Sequence, residues 1–235
     1  MQNRKSRNPP SDSFQEDETV FPDSFHDIIA EVQPVIMREP LGEILGAFSK
    51  SVGILAYGFR DVVKLTGHAC PTTAGAYLCC KKALEELYPD EIPARGEISV
   101  KVHGEPDEAT YGVMAQVITL ITGAAGITGF KGLGHEYRRK DLLQFIIDSN
   151  MQDGMSFEFQ RRDNGSAVLV KFHPERIPFS PHKARRLREL LEKIIWEAAK
   201  EGEKKEFQEL WREKIAAMLI EEKDIKKWLV IEKRR

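Results

Sequence analysis

The sequence has few of the features that mark disulfide scaffolds, membrane proteins or nucleic-acid binders. It has three cysteines in 235 residues, too few for a disulfide framework, and their odd number fits a reducing compartment. The longest apolar stretch, 111–127, is broken by polar residues and falls short of the ~20 residues that span a bilayer. The net charge of -2 gives no electrostatic field that favours DNA or RNA. We therefore expect a soluble, cytoplasmic protein without membrane or nucleic-acid partners.

The chain does have enough apolar material for one good core. Hydrophobic residues make up 41% of the sequence, which supports one folded domain and a small second unit. Residues 1–19 are polar and charged, which predicts a disordered tail. Residues 20–180 carry the main pattern of helices and strands, beginning with a short helix over 24–35. Residues 181–235 hold two apolar stripes at helical spacing, separated by Gly202, which predicts a charged helical hairpin extension.

The clearest elements lie in the middle of the chain. A helix is expected to begin at Pro71, because proline is favoured in the first helical turn. Alternation over 96–103 predicts a strand with one buried face, and the small apolar residues of 109–121 predict a buried helix. Two further strands, 155–161 and 167–173, are joined by an Asp-Asn-Gly turn, and Asn-Gly is a strong hairpin signal.

One short segment concentrates reactive side chains. The sequence TGHACP at 66–71 places His68 and Cys70 two residues apart, immediately before the predicted helix. Free amides and the dipole at a helix N-terminus stabilise a thiolate. A His-x-Cys pair can also chelate a borderline-soft metal such as zinc or iron. The same pattern suits a capping turn that packs a buried cysteine, and the sequence leaves both interpretations open.

Two further histidines are candidates to complete such a site. His103 closes the strand, and His135 follows the glycine-rich segment 123–134. We favour His135, because it lies beside a glycine-rich loop that can line a pocket. The spacing of these glycines matches neither the dinucleotide nor the P-loop pattern, so nucleotide binding is not favoured. The polar residues that could support the site from farther out are Tyr111, Lys131 and Glu136.

The remaining cysteines, Cys79 and Cys80, are adjacent in the middle of the predicted helix. Their side chains diverge by about 100° on a helix, which makes a disulfide between them awkward. Core packing is therefore the favoured interpretation, and a vicinal redox pair is the alternative.

These motifs together resemble the FmdE-like family of formylmethanofuran dehydrogenase proteins. The segment GHACP followed by TAG, within 67–75, is similar to the family's G-H-x-C-P-G opening. The segment 113–123, which contains a glutamine and ends in Thr-Gly, is similar to the family's D-A-I-Q-x-x-T-G helix. Gly126 and Gly129 are similar to the glycines of the loop that follows. The likeness covers roughly residues 45–175.

The resemblance implies an α+β domain with helices packed on a mixed or antiparallel sheet, often as a homodimer. It also implies a metal near the His-x-Cys motif and an association with molybdenum or tungsten formylmethanofuran dehydrogenase operons. This sequence departs from the family in two places. Ala124 stands where relatives have the cysteine of T-G-C, so one possible thiolate ligand is lost. The C-terminus lacks the cysteine-rich zinc ribbon of some relatives, which favours a repurposed paralogue.

The leading hypothesis is a metal-binding protein that acts on or senses an unknown small molecule. Its zinc or iron site would hold His68 and Cys70, with His135 or His103 completing the shell. Three protein ligands and one open position favour Lewis-acid or redox chemistry, and Cys70 would be a thiolate ligand or a nucleophile. Two alternatives remain. The C-terminal helices would form a dimeric interaction or regulatory module without catalysis, or the Cys-Pro pair would bind haem through its thiolate.

Overall fold

A computed structural model of the protein describes residues 23–48, 53–108, 110–147 and 153–234. In these residues helices pack against a mixed five-stranded sheet, with two smaller two-stranded sheets beside it. The predicted α+β fold is therefore confirmed. The tail predicted for residues 1–19 lies outside the described residues.

The helices are α1 (Asp23–Glu31), α2 (Pro40–Ile44), α3 (Phe59–Thr66), α4 (Pro71–Leu87), α5 (Tyr111–Thr122), α6 (Pro181–Ile195), α7 (Glu201–Leu219) and α8 (Ile225–Trp228). The strands are β1 (Val35–Arg38), β2 (Ile54–Tyr57), β3 (Ile98–His103), β4 (Gly132–Leu133), β5 (Tyr137–Arg138), β6 (Leu143–Ile146), β7 (Met155–Arg161), β8 (Ala167–Phe172) and β9 (Leu229–Arg234). Among the helices of these described ranges, none is long and apolar enough to cross a membrane.

The main sheet has the strand order β6-β3-β7-β8-β9. β3 and β6 are parallel, and the other neighbours are antiparallel. Val100 faces Phe159 across the first antiparallel pair, and Phe159 faces Val168 across the next. All three side chains are buried, so the alternation predicted for these strands places one face in the core. The hairpin predicted from the Asn-Gly turn joins β7 to β8.

The helix α4 runs through the middle of the domain, and residues 73–80 are buried without exception. It contacts α3, α5, α7 and the strand β8. Gly75 allows the close approach to the sheet, because a methyl group there would lie 2.4 Å from the Phe172 ring. At the other end of the helix, the Leu87 carbonyl accepts a hydrogen bond of 3.2 Å from Arg161. Small residues thus make α4 a helix buried on several sides.

The helix α5 runs antiparallel to β3. Its last residue, Thr122, accepts a backbone hydrogen bond of 2.9 Å from Gly96, just before the strand begins. Its first residue, Tyr111, lies against Gly104, just after the strand ends. α4 has the same direction, because Arg161 at its C-terminal end pairs with the first residue of β3, Ile98. The N-termini of both helices therefore lie at the end of the sheet where β3 finishes.

Two regions differ from the sequence-based expectation. The helix expected over 24–35 ends at Glu31, and the β-branched pair Val35 and Ile36 begins β1 instead. Residues 229–234 were not predicted as a strand, yet they form β9 and pair with β8 along six residues. Their alternation is short and ends in charged residues, which is typical of an exposed edge strand.

The C-terminal region begins with the expected helical hairpin. α6 and α7 are joined by a bidentate contact from Arg186 to Glu206 and by a contact from Lys183 to Glu213. The chain then returns to the sheet through α8 and β9. Trp228 is fully buried there and meets Phe172 edge to face at 6.2 Å. The end of the chain thus shares the core of the residues before it.

Candidate functional site

The His-x-Cys motif lies in a tight turn between α3 and α4. α3 ends because Gly67 adopts a left-handed conformation (φ 75°), and its N–H donates to the Val63 carbonyl at 2.8 Å. A side chain at this φ would strain the backbone. Three residues later, Cys70 is extended (φ -148°) and serves as the N-cap of α4. The turn therefore presents its two donor side chains at the N-terminal end of the central helix.

Cys70 is held in place by the first turn of α4. Its Sγ accepts the Thr73 N–H at 3.4 Å, and its own N–H donates to the Thr73 hydroxyl at 3.0 Å. The side chain is half-buried, whereas Cys79 and Cys80 are fully buried. Burial raises the pKa of both buried thiols, which keeps them protonated and unreactive at neutral pH. The core-packing interpretation of that pair is therefore confirmed.

His68 is exposed, but its ring is tied to the backbone. Nδ1 lies 2.9 Å from the Thr66 carbonyl, so it carries the proton in that contact. Thr66 in turn donates its hydroxyl to the His68 carbonyl at 2.9 Å. Histidine ligands commonly donate one ring N–H to a carbonyl and use the other nitrogen for the metal. The turn thus leaves Nε2 as the available donor.

A residue of α7 covers the backbone between the two donors. Trp211 Nε1 donates to the Ala69 carbonyl at 2.8 Å, and its ring stacks on Phe207 with centroids 5.1 Å apart. This contact joins residues 142 positions apart in the chain. Nothing in the local sequence signals it, so sequence reasoning did not find it.

Two of the other predicted residues lie at the same end of the domain as Cys70. His103 is the last residue of β3, and Tyr111 opens α5 beside Gly104. Tyr111 is buried against Phe157, with ring centroids 6.0 Å apart, and burial raises its pKa. The structure therefore brings these two residues to the same end of the sheet as the turn.

The other three candidates lie toward the opposite end. Lys131 precedes the short β4–β5 hairpin, whose exposed turn carries His135 and Glu136. Just after β5, Arg139 lies against Gly123, at the C-terminal end of α5. That helix has 12 residues and is therefore about 18 Å long. The structure does not bring His135 to the turn that holds Cys70.

Ala124 follows α5 at this same far end. It is fully buried, and its N–H donates to the Thr122 hydroxyl at 3.1 Å. The absent family cysteine at this position thus removes no donor from the His-x-Cys turn of the same chain. Across the ranges that the structure describes, no three His, Cys, Asp or Glu side chains come together to hold a metal ion.

Sequence reasoning also missed a charged cluster at the far end. Glu39 Oε2 pairs with Arg95, and its Oε1 pairs with Arg139. Arg95 also donates to the Ile121 carbonyl at 3.1 Å and to that of Leu120 at 3.0 Å, and so caps the C-terminus of α5. The ion-pair partners are 56 and 100 residues apart. Such separations leave no local pattern in the sequence.

The fold and the turn define the class of the protein: an α+β domain with a His and a Cys donor at the start of its central helix. A family model described as FmdE, molybdenum formylmethanofuran dehydrogenase operon, matches residues 65–226. This match covers more than half of the chain, which therefore belongs to the FmdE family. It begins just before the turn and includes α6 and α7, so the C-terminal hairpin lies within the matched region. A search of the curated proteins finds no match.

Proposed function

We propose that this FmdE-family protein binds a zinc or iron ion through His68 and Cys70 and uses it to act on or sense a small molecule. The observation that carries the proposal is the orientation of His68, whose Nδ1 is occupied by the Thr66 carbonyl at 2.9 Å. The opposite nitrogen then has its lone pair free to coordinate a metal. An exposed surface histidine needs no such anchoring.

The chemistry of the two donors fits a borderline-soft ion. Imidazole and thiolate are the side chains that zinc and iron prefer. Cys70 caps a helix of 17 residues, and the positive end of the helix dipole favours the thiolate that coordination needs. Gly67 and Trp211 fix the backbone on which both donors stand. These features support a preformed pair of ligands.

The described residues supply these two donors and no cluster of three. At least one further ligand would therefore come from water, the small molecule itself or a second protein chain. A bound zinc or iron ion supplies Lewis-acid or redox chemistry at such open positions. In this arrangement His68 and Cys70 hold the ion, and Tyr111 remains near that end of the sheet as a neutral, buried hydroxyl.

Elemental analysis of the purified protein tests the proposal. We expect zinc or iron at a fixed ratio to the wild-type chain, and a large loss in His68→Ala with the far-UV circular dichroism unchanged. His135→Ala is the matched control, since it removes an exposed histidine far from the turn. Equal loss in both variants, or a metal-free wild type that stays metal-free after zinc or iron is added, would contradict the proposal. A visible spectrum of the same samples tests the haem alternative.

A second candidate is the dimeric interaction module, favoured by the tip of the α6–α7 hairpin. Ile195 and Trp196 are 66% and 76% exposed there, and exposed aromatic side chains commonly anchor protein interfaces. Size exclusion with light scattering should then give a dimer mass for the wild type and a monomer mass for Trp196→Ala. The same mass for both would count against this interface.

A further inference from the structure

A cavity lies between α2, the C-terminal end of α5 and the glycine-rich loop. Its volume is about 350 Å³, at the lower end of the range for small-molecule pockets. Its walls are apolar and include Leu41, Leu45 and Phe48. Leu45 is 65% exposed and Phe130, also in the lining, is 61% exposed, so the entrance is apolar as well.

The floor of the cavity is charged. It is formed by Arg95, Arg139 and Glu39, whose side chains are between 5% and 17% exposed. Two guanidinium groups share one carboxylate, which leaves one positive charge without a counter-charge within the cluster. A charge in such a site is costly unless it is paired.

The two arginines differ in how many of their donors are used. Arg95 donates to Glu39 and to two carbonyls at the end of α5. Arg139 has one acceptor among the described residues, which is Glu39 Oε1. A guanidinium has five N–H donors in a planar fork that matches a carboxylate. Arg139 thus has donors left for a ligand, although its side chain is only 5% exposed.

The position of Arg139 is built into the backbone. A methyl group on Gly123 would lie 2.2 Å from its Nη1, and one on Gly96 would lie 2.9 Å from its Nε. Both glycines have positive φ. Two backbone positions that accept only glycine without strain therefore make room for this one guanidinium at the floor of the cavity.

We propose that this cavity binds a small organic monocarboxylate, with Arg139 pairing with the carboxylate and the apolar walls enclosing the carbon chain. A single unbalanced positive charge favours a monoanion over a dianion such as phosphate. The apolar walls favour a ligand with a hydrocarbon body, since they gain by burying it. The site is separate from the His-x-Cys turn and does not depend on metal binding.

Isothermal titration with hexanoate as the probe tests this inference on the full-length protein. We expect saturable binding of hexanoate to the wild type and much weaker binding of hexan-1-ol, which has the same chain without the charge. Arg139→Gln should abolish hexanoate binding. Since that variant also breaks a buried ion pair, a second pair of variants is needed that leaves the core intact.

Leu45→Glu and Leu45→Lys provide that pair, because Leu45 is largely exposed at the entrance. The negative side chain should weaken hexanoate binding on the order of tenfold relative to the positive one, with the difference shrinking at high salt. Three results would overturn the proposal: no saturable binding to the wild type, equal affinity for hexanoate and hexan-1-ol, or equal affinity of the two Leu45 variants.

Discussion

The contact between α7 and the His-x-Cys turn gives a quantitative prediction. Trp211→Phe keeps an aromatic ring against Phe207 but removes the N–H that donates to the Ala69 carbonyl at 2.8 Å. A hydrogen bond of this kind contributes a net ~0.5–1.5 kcal/mol. The carbonyl that loses its partner belongs to a half-buried residue, and water satisfies part of it. We therefore expect the free energy of unfolding to fall by about 1–2 kcal/mol.

Urea unfolding followed by far-UV circular dichroism measures this change. For a chain of this size, each 1 kcal/mol corresponds to about 2–4 °C in Tm, so a thermal scan should agree with the urea result. Trp196→Phe is the matched control, because Trp196 is exposed on the hairpin tip and should change stability by less than about 0.5 kcal/mol. Metal retention should fall in Trp211→Phe and not in the control. Equal stability of both variants would refute the role assigned to this contact.

Two further predictions concern local geometry and thiol accessibility. Gly123→Ala should destabilise the protein by about 1–3 kcal/mol more than Gly165→Ala, because only the first methyl meets a guanidinium while both glycines have positive φ; urea unfolding of the two variants compares them directly. A thiol reagent should modify Cys70 rapidly in the native protein and reach Cys79 and Cys80 only after unfolding, because those two are fully buried. Three equally fast thiols in the native state would contradict this placement.

Much of the fold could be predicted because its elements have strong local signals. The β7–β8 hairpin has alternating apolar residues around an Asn-Gly turn, and α4 begins at a proline after an N-cap. Edge strands are harder to predict, since β9 is short and its end is charged. The helix α1 was predicted too long because β-branched residues that follow it are compatible with either structure until they find a partner strand.

The candidate site could be predicted only in part, for a related reason. His68 and Cys70 are neighbours in sequence, so their proximity needs no knowledge of the fold. The placement of His135 depends on the directions of α4 and α5, which no local pattern determines. The Glu39 cluster and the Trp211 contact join residues far apart in the chain, and such tertiary contacts become visible only once the helices are packed.

Cobalt(II) titration of the wild type and Cys70→Ser tests the central claim most directly. Cobalt replaces zinc in mixed thiolate and imidazole sites, and a thiolate ligand produces an intense near-ultraviolet charge-transfer band. We predict a band that saturates in the wild type, is absent in Cys70→Ser and needs more cobalt in His68→Ala. A wild type without a saturable band, or a band that persists in Cys70→Ser, would contradict metal binding at this turn.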